Sequence, residues 1–164
     1  GAHVSDCPNH TVGRVTPFET RGIVALAGTF GYELDVTKIP QEDRDMIPGQ
    51  VAMYHKYNDL VREGDYYRIA SYSQNHKFDC WQVVSGDRKQ SLVTFVQVLN
   101  RANFKSRRIL LKGLDAGKRY NVSFVNDDNI EDRVYSGEML MKAGLLVPNP
   151  WGDFKARLIS LIAV

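Results

Sequence analysis

Cysteine is scarce in this sequence, and long apolar runs are missing. The 164 residues include two cysteines, Cys7 and Cys80, which are too few and too far apart for a disulfide framework. Free thiols suit a reducing compartment, so we expect the protein in the cytoplasm. No segment approaches the roughly 18 consecutive apolar residues that a membrane-spanning helix needs, and we expect no membrane partner.

An excess of charge of one sign is also missing. Lys and Arg number 21 against 19 Asp and Glu, and the net charge of +2 is too small to predict binding to nucleic acid. The densest basic cluster, residues 105–108, directly precedes an apolar run and is typical of a solvated strand edge. Gly-x-Gly-x-x-Gly and Gly-x-Ser-x-Gly are absent, which argues against a nucleotide site and a serine-hydrolase elbow.

The composition, with 43% hydrophobic and 24% charged residues, is typical of a folded domain. Thr16-Pro17 and Glu19 predict the start of a helix, because a capping threonine is followed by proline at the first helical position and by glutamate three residues after the cap. This helix should end near Gly28. A second helix is expected from Pro40 to Gly64, with a kink or a break at Pro48, because proline removes a helical hydrogen bond.

After Asp65 the sequence period changes from helical to strand-like, and we place a domain boundary between residues 1–64 and 65–164. Tyr120, Val122 and Phe124 alternate with polar residues, as in a half-buried strand. Similar short runs, separated by turn-forming residues, occur at residues 66–72, 78–84, 91–99, 107–111, 137–141 and 154–163. Many short strands at this spacing predict an antiparallel β-sandwich after the helices, an α+β arrangement.

Two groups of side chains could carry chemistry or binding. His3, Cys7 and His10 have a spacing that suits a structural zinc site, hydrogen-bonding histidines, or the binding of a polar ligand. Aromatic side chains could stack on sugar rings, although aromatic residues in strands more often fill the core of a sandwich. These aromatic candidates are Tyr66, Tyr67, Tyr72 and Trp81.

Short motifs follow one another along nearly the whole chain. They are Gly1-Ala2-His3-Val4-Ser5, Pro8-Asn9-His10, Arg14, Thr16, Arg21, Phe30-Gly31-Tyr32-Glu33-Leu34-Asp35, Gly64-Asp65-Tyr66-Tyr67-Arg68, Trp81, Val84-Ser85, Leu111-Lys112-Gly113-Leu114, Tyr120 and Ser136-Gly137-Glu138. In this order they resemble the C-terminal end of glycoside hydrolase family 36, the microbial α-galactosidases.

The resemblance implies a remnant of the end of a (β/α)8 barrel, with residues 1–5 as its last strand and two or three helices up to residue 64, followed by the C-terminal β-sandwich. It implies a parent enzyme that removes terminal α-galactosyl residues from melibiose or raffinose-type oligosaccharides with retention of configuration. Two aspartates would perform this reaction, and neither a metal nor an organic cofactor would be needed.

The sequence departs from the family pattern at the catalytic motifs. The Lys-Trp-Asp nucleophile motif and the Cys-Ser-x-Gly-Gly-x-Arg-x-Asp motif of the acid/base do not occur here. Asp6 and Asp79 lie outside those contexts, so we expect no catalytic residue in this chain. By the resemblance, the rim of the substrate pocket would include His3, Ser5, Asn9 and His10, since ligand groups in such barrels lie at the C-terminal ends of strands.

We therefore expect an inactive C-terminal part of an α-galactosidase, which would meet α-galactosides together with the rest of its polypeptide. The alternative is a noncatalytic β-sandwich module for sugar binding or assembly. The apolar residues of the helices before Asp65 would be left uncovered without the rest of a barrel. Because exposed apolar faces drive association, we expect a homo-oligomer.

Overall fold

The computed structural model describes all residues, 1–164, and contains four helices and ten strands. In chain order they are β1 (Val4–Ser5), α1 (Phe18–Ala25), β2 (Tyr32–Glu33), α2 (Gln41–Glu63), β3 (Asp65–Ala70), α3 (Tyr72–Asn75), β4 (Phe78–Val84), β5 (Gln90–Gln97), β6 (Ser106–Ile109), β7 (Arg119–Phe124), β8 (Arg133–Ser136), α4 (Gly137–Lys142), β9 (Leu145–Pro148) and β10 (Lys155–Ala163). None of the four helices combines the length and the apolar character that crossing a membrane requires.

The main sheet has six strands in the order β3-β4-β5-β10-β7-β8, and all neighbouring strands are antiparallel. One face of it carries the largest apolar cluster, 15 buried residues. Ile109, Leu140 and Val147 cover this face from β6, α4 and β9. Since β6 and β9 form only a two-stranded sheet, the predicted antiparallel sandwich has one large and one small layer.

The central strands β5 and β10 are apolar on both faces, because both faces of the main sheet are covered. Phe95 and Ile159 point to the sandwich core, whereas Leu92 and Leu158 contact the helices on the opposite face. Continuous apolar runs of this kind are typical of strands buried on both sides. In a strand with one solvent-exposed face, apolar and polar residues alternate.

Helix α1 begins at Phe18, and the residue preceding it, Pro17, makes no side-chain capping hydrogen bond. The prediction that Thr16 caps this helix is therefore wrong. The Thr16 carbonyl instead accepts a hydrogen bond from Arg21 Nε at 3.0 Å, which holds the chain just before the helix. After Ala25, hydrogen bonds between residues three apart tighten the chain into a turn that reaches Gly28.

Helix α2 runs as one helix through Pro48, so of the two predicted alternatives, a kink or two helices, the division into two helices is wrong. Side chains on both sides of the proline are held by tertiary contacts. Ile47 packs into a small cluster around Val4. Buried Gln50 donates to the Phe18 carbonyl at 3.2 Å and accepts from the Tyr32 hydroxyl at 2.7 Å. These contacts offset the hydrogen bond that proline removes.

The apolar face of the two long helices lies against the main sheet. Ile23, Leu26, Tyr57 and Leu60 form one buried cluster with Leu92, Ala156 and Leu158 of the sheet. The expectation that this face is uncovered is therefore wrong. The sheet that follows in the sequence supplies the cover, which the helical sequence pattern cannot show.

The predicted strand at residues 137–141 is helix α4. The Ser136 hydroxyl accepts a hydrogen bond from the backbone nitrogen of Met139 at 3.0 Å and caps the helix, and Glu138 pairs with Lys142 at 2.9 Å. A serine cap followed by an acidic residue in the first turn is typical of the start of a helix. The sequence analysis instead interpreted the short apolar run as a strand. Strands β8 and β9, which the sequence analysis did not predict, flank this helix.

Residues 1–64 contain two short parallel strands, whereas one was expected. Val4 pairs with Tyr32 and Ser5 with Glu33, and helix α1 lies between the two strands in the sequence. A parallel pair joined through a helix is the repeating unit of (β/α)8 barrels. Strand β2 is only two residues long, too short to produce an alternating pattern in the sequence.

Candidate functional site

The strand pair β1 and β2 brings polar side chains together, because His3 directly precedes β1 while Ser5 and Glu33 end β1 and β2. Val4 is buried with Phe18 and Ala25, so its neighbours His3 and Ser5 lie on the opposite side of the strand from Val4. His3 Nε2 lies 2.6 Å from Glu33 Oε2, and both side chains are largely exposed. An exposed pair of this kind adds little stability, so exchanging it for contacts to a ligand costs little.

The loop between β1 and α1, residues 6–15, is closed by one arginine. Arg21 donates to the carbonyl oxygens of Ser5 and Thr16, which flank the loop. Its guanidinium lies 5.1 Å from the centre of the Phe18 ring. A planar guanidinium suits simultaneous hydrogen bonding and stacking on an aromatic ring, so Arg21 fixes the base of the loop against α1.

Asn9 organises the tip of the same loop. Its Oδ1 accepts hydrogen bonds from the backbone nitrogens of Thr11 and Val12, each at 3.0 Å. The backbone of Asn9 also exchanges hydrogen bonds with Gly13 and Arg14. These bonds form an asparagine-stabilised turn, and they engage the side-chain oxygen while leaving the amide group free to donate.

Two cavities lie beside these residues. The larger cavity lies between residues 1–25 and the main sheet and has a volume of about 580 Å³. His3 and Ser5 line one side together with Arg14 and Arg21. Tyr72, Asp79 and Phe154 line the other side. The Arg14 guanidinium lies 5.3 Å from the centre of the Phe154 ring. This volume and this mixture of polar and aromatic walls are typical of small-molecule sites.

A smaller cavity of about 150 Å³ adjoins the loop, and Ser5 and Asn9 line it with Asp6, Cys7 and Arg21. The structure thus places His3, Ser5 and Asn9 at the walls of two cavities that share Ser5, Arg14, Thr16 and Arg21. His10 lies apart from them, exposed on the loop, and lines neither cavity.

One carboxylate, that of Asp79, lines the larger cavity, whereas a retaining glycosidase uses two carboxyl groups about 5–5.5 Å apart. Asp79 Oδ1 accepts a hydrogen bond from the Tyr72 nitrogen at 2.8 Å. His3, Cys7 and His10 do not come together as a group of three potential metal ligands, and the structure contains no other such group of His, Cys, Asp and Glu side chains.

The aromatic candidates have different surroundings. Tyr67 packs against the sandwich core, Trp81 lines a small cavity of about 50 Å³ beside the helices, and Tyr66 is exposed. Only Tyr72 faces the larger cavity. Phe154, which lines the same cavity, was not a candidate in the sequence analysis, since a single phenylalanine after a Pro-rich turn carries no local signal for a binding site.

Comparisons with known proteins agree on one family. The model of the glycosyl hydrolase family 36 C-terminal domain matches residues 78–161, and the melibiase model matches residues 1–64. Alpha-galactosidase AgaA of Geobacillus stearothermophilus is 41% identical over 164 residues, which are 100% of this chain and 21% of that protein. Alpha-galactosidase Mel36A of Lactobacillus acidophilus is 38% identical, over 99% of this chain and 21% of its own length.

A solved structure supports the same assignment. The crystal structure of a variant of AgaA from Geobacillus stearothermophilus in complex with raffinose aligns with a TM-score of 0.91 at 40% identity, over 100% of this chain and 22% of that one. The chain therefore spans about a fifth of the length of these relatives. Because the family 36 C-terminal domain model alone covers about half of its residues, the chain belongs to glycoside hydrolase family 36.

Proposed function

We propose that the chain is the C-terminal part of a retaining α-galactosidase that hydrolyses terminal α-galactosyl residues of melibiose or raffinose-type oligosaccharides, and that this part is inactive alone. The alignment with α-galactosidases at 38–41% identity over essentially the whole chain carries the proposal. The single carboxylate of the larger cavity supports the view that the catalytic pair lies in the rest of the polypeptide.

In this proposal, residues 1–64 close the catalytic barrel and residues 65–164 form the C-terminal domain, in line with the ranges of the two family models. His3, Ser5, Asn9 and His10 contribute to the rim of the substrate pocket of the complete barrel. The protein works with the rest of its polypeptide and as a homo-oligomer. Exposed apolar side chains at Val12, Val15, Val36 and Met46 supply apolar surface for these contacts.

The proposal is tested by a chimera in which this chain replaces the matching segment of AgaA. We expect no hydrolysis of a chromogenic α-galactoside by the 164-residue chain at its intact mass of 18.6 kDa. We expect hydrolysis by the chimera, because the barrel then supplies both carboxyl groups. Hydrolysis by the isolated chain would contradict its inactivity. A folded but inactive chimera would contradict the assignment to an α-galactosidase.

The rim residues are tested in the same chimera. His3→Ala should raise the KM for raffinose about tenfold with a smaller change in kcat, since one hydrogen bond to a sugar hydroxyl is worth about 1–1.5 kcal/mol. His55→Ala, on the exposed face of α2, is the matched control and should leave both constants unchanged. An unchanged KM in His3→Ala would remove His3 from the rim.

A further inference from the structure

The hydrogen bonds of the loop between β1 and α1, residues 6–15, are all local. Asn9 bonds to residues 11–14 through its backbone and its side chain. Cys7 Sγ makes a long contact of 3.9 Å with the Thr16 carbonyl, where the loop ends. Because these bonds hold the loop together without tying it to a distant element, its position depends on what holds its two ends.

Arg21, on helix α1, holds both ends of this loop. Its Nη1 donates to the Ser5 carbonyl, and its Nε donates to the Thr16 carbonyl at 3.0 Å. Arg21 forms no ion pair, so no carboxylate competes for its N–H groups. The charge of the guanidinium therefore strengthens the two bonds to the carbonyl oxygens.

The aromatic ring beside Arg21 is itself fixed. The guanidinium lies 5.1 Å from the centre of the Phe18 ring, and Phe18 is buried. Tyr32 stacks on this ring with 6.3 Å between the ring centres, and buried Gln50 holds the Phe18 carbonyl at 3.2 Å. A planar guanidinium stacked on an immobile ring has few alternative orientations, so Arg21 is preorganised for the two carbonyls.

The ends that Arg21 holds lead directly to the cavity walls. Ser5 lines both the larger and the smaller cavity, and Asn9 lines the smaller one. Since local bonds keep the loop together, a shift of its ends relative to α1 would move Ser5 and Asn9 together. The position of Arg21 therefore sets the position of this wall.

We propose that Arg21 is a positioning residue for substrate binding. By holding both ends of residues 6–15, it places Ser5 and Asn9 at the rim of the substrate pocket of the complete barrel. This role in binding rests on the proposed function, whereas the closure of the loop rests on the contacts of Arg21 alone. Lysine does not replace Arg21, because an ammonium group lacks the planar face and the fixed fork of N–H donors.

Hydrogen exchange of the 164-residue chain tests the closure of the loop. In Arg21→Ala, the amides of residues 6–16 should exchange about tenfold faster or more, because the loop opens at both ends. The amides of the central strand β5 should exchange as in the unmodified chain. Unchanged exchange of residues 6–16 in Arg21→Ala would overturn the closure of the loop by Arg21.

The matched control is Arg62→Ala. Arg62 is an exposed arginine on α2 that pairs with Asp59 and Glu63. Its removal should leave the exchange of residues 6–16 unchanged. Faster exchange of these residues in Arg62→Ala as well would mean that the loop responds to any loss of charge, and it would overturn a specific role of Arg21.

The kinetics of the AgaA chimera test the role in binding. Arg21→Ala should raise the KM for raffinose about tenfold with a smaller change in kcat, because the binding wall moves while the catalytic carboxyl groups lie elsewhere. A merely structural defect would lower the amount of folded enzyme, and with it the apparent kcat, and would leave KM unchanged. Arg62→Ala should leave both constants unchanged.

Arg21→Lys separates the planar contacts from the charge. It keeps the positive charge and most of the aliphatic stem, so it also serves as the test if Arg21→Ala fails to fold. We expect its KM to rise as in Arg21→Ala, because lysine lacks the fork that reaches two carbonyls. A normal KM in Arg21→Lys would overturn the two-point hold, since charge alone would then suffice.

The positioning role and the proposed function fail in distinguishable ways. An active chimera whose KM is unchanged in both Arg21 variants would overturn the positioning role and leave the proposed function intact. An inactive chimera without any Arg21 substitution would overturn the proposed function and with it the role in binding. Hydrogen exchange would still decide whether Arg21 closes the loop.

Discussion

Gly137→Ala should destabilise the chain by about 3 kcal/mol or more, at the upper end of what overpacking costs. A Cβ atom at Gly137 would lie 2.0 Å from the Asp115 carbonyl oxygen and 3.1 Å from the Tyr120 ring. Neither neighbour can move freely. The Asp115 atom is backbone, and the Tyr120 hydroxyl is held by the Asp115 nitrogen at 3.0 Å and the Arg88 carbonyl at 2.7 Å.

Thermal unfolding followed by circular dichroism measures this effect, and a loss of about 3 kcal/mol corresponds to a fall in Tm of roughly 6–12 °C for a chain of this size. Gly49→Ala is the matched control, because nothing lies within 4 Å of a Cβ atom built there. It lies inside α2, where alanine is preferred to glycine by about 1 kcal/mol, so its Tm should rise slightly. Equal melting of Gly137→Ala and the unmodified chain would contradict the described packing of α4.

Asp127→Asn should destabilise the chain by about 2 kcal/mol, because it leaves the charge of Arg157 without its carboxylate. The Arg157 side chain is 7% exposed, and its Nη1 lies 2.8 Å from Asp127 Oδ2. Complete loss of a buried pair typically costs about 3–5 kcal/mol. The cost is lower here, because the Arg157 guanidinium also donates to the carbonyls of Pro148 and Asn149. Urea denaturation at pH 7 measures the difference.

The pH dependence of this difference separates the ion pair from a local packing defect. The hydrogen bond from Arg157 lowers the pKa of Asp127 in the folded chain, whereas an unfolded aspartate has a pKa of about 3.9. The stabilisation is therefore complete above that value and is lost as the pH falls through the folded pKa. Asp127→Asn and the unmodified chain should converge in acid.

Asp128 is the exposed neighbour of Asp127 and makes no ion pair, whereas Asp127 pairs with Arg157. Asp128→Asn removes the same charge and should change stability little. The asparagine at position 127 keeps Oδ1 as the acceptor for the Asn129 nitrogen, so the turn is conserved. A destabilisation of Asp127→Asn that persists unchanged in acid would mean that the charge of Asp127 does not carry the effect.

Elements with strong local signals were predictable from the sequence. Strand β4 occupies residues 78–84 as predicted, because an apolar, β-branched and aromatic run lies between turn residues. Helix α2 begins at Gln41, just after Pro40, and ends before Gly64, where proline, acidic residues and glycine mark both ends. The order of family motifs also predicted the assignment to family 36.

Elements that depend on distant partners were not predictable. Strands β1 and β2 are two residues each and exist because they pair with each other across helix α1. The run at residues 137–141 became a helix because a serine cap and the close approach to Asp115 and Tyr120 decided its conformation. Short segments of this kind carry too few residues for a reliable period.

The candidate site divides in the same way. The family motifs drew attention to His3, Ser5 and Asn9, which line the two cavities. The opposite wall, with Tyr72, Asp79 and Phe154, comes from three separate segments of the β domain.

The sequence by itself determined the family, the helix-then-strand order and the absence of the catalytic aspartate motifs, because these are written in local motifs and periods. Only the tertiary structure decided that the sheet covers both helices and that the larger cavity forms between residues 1–25 and the β domain. These features arise where residues far apart in the chain compete for burial and hydrogen bonds, and no local pattern records the outcome of that competition.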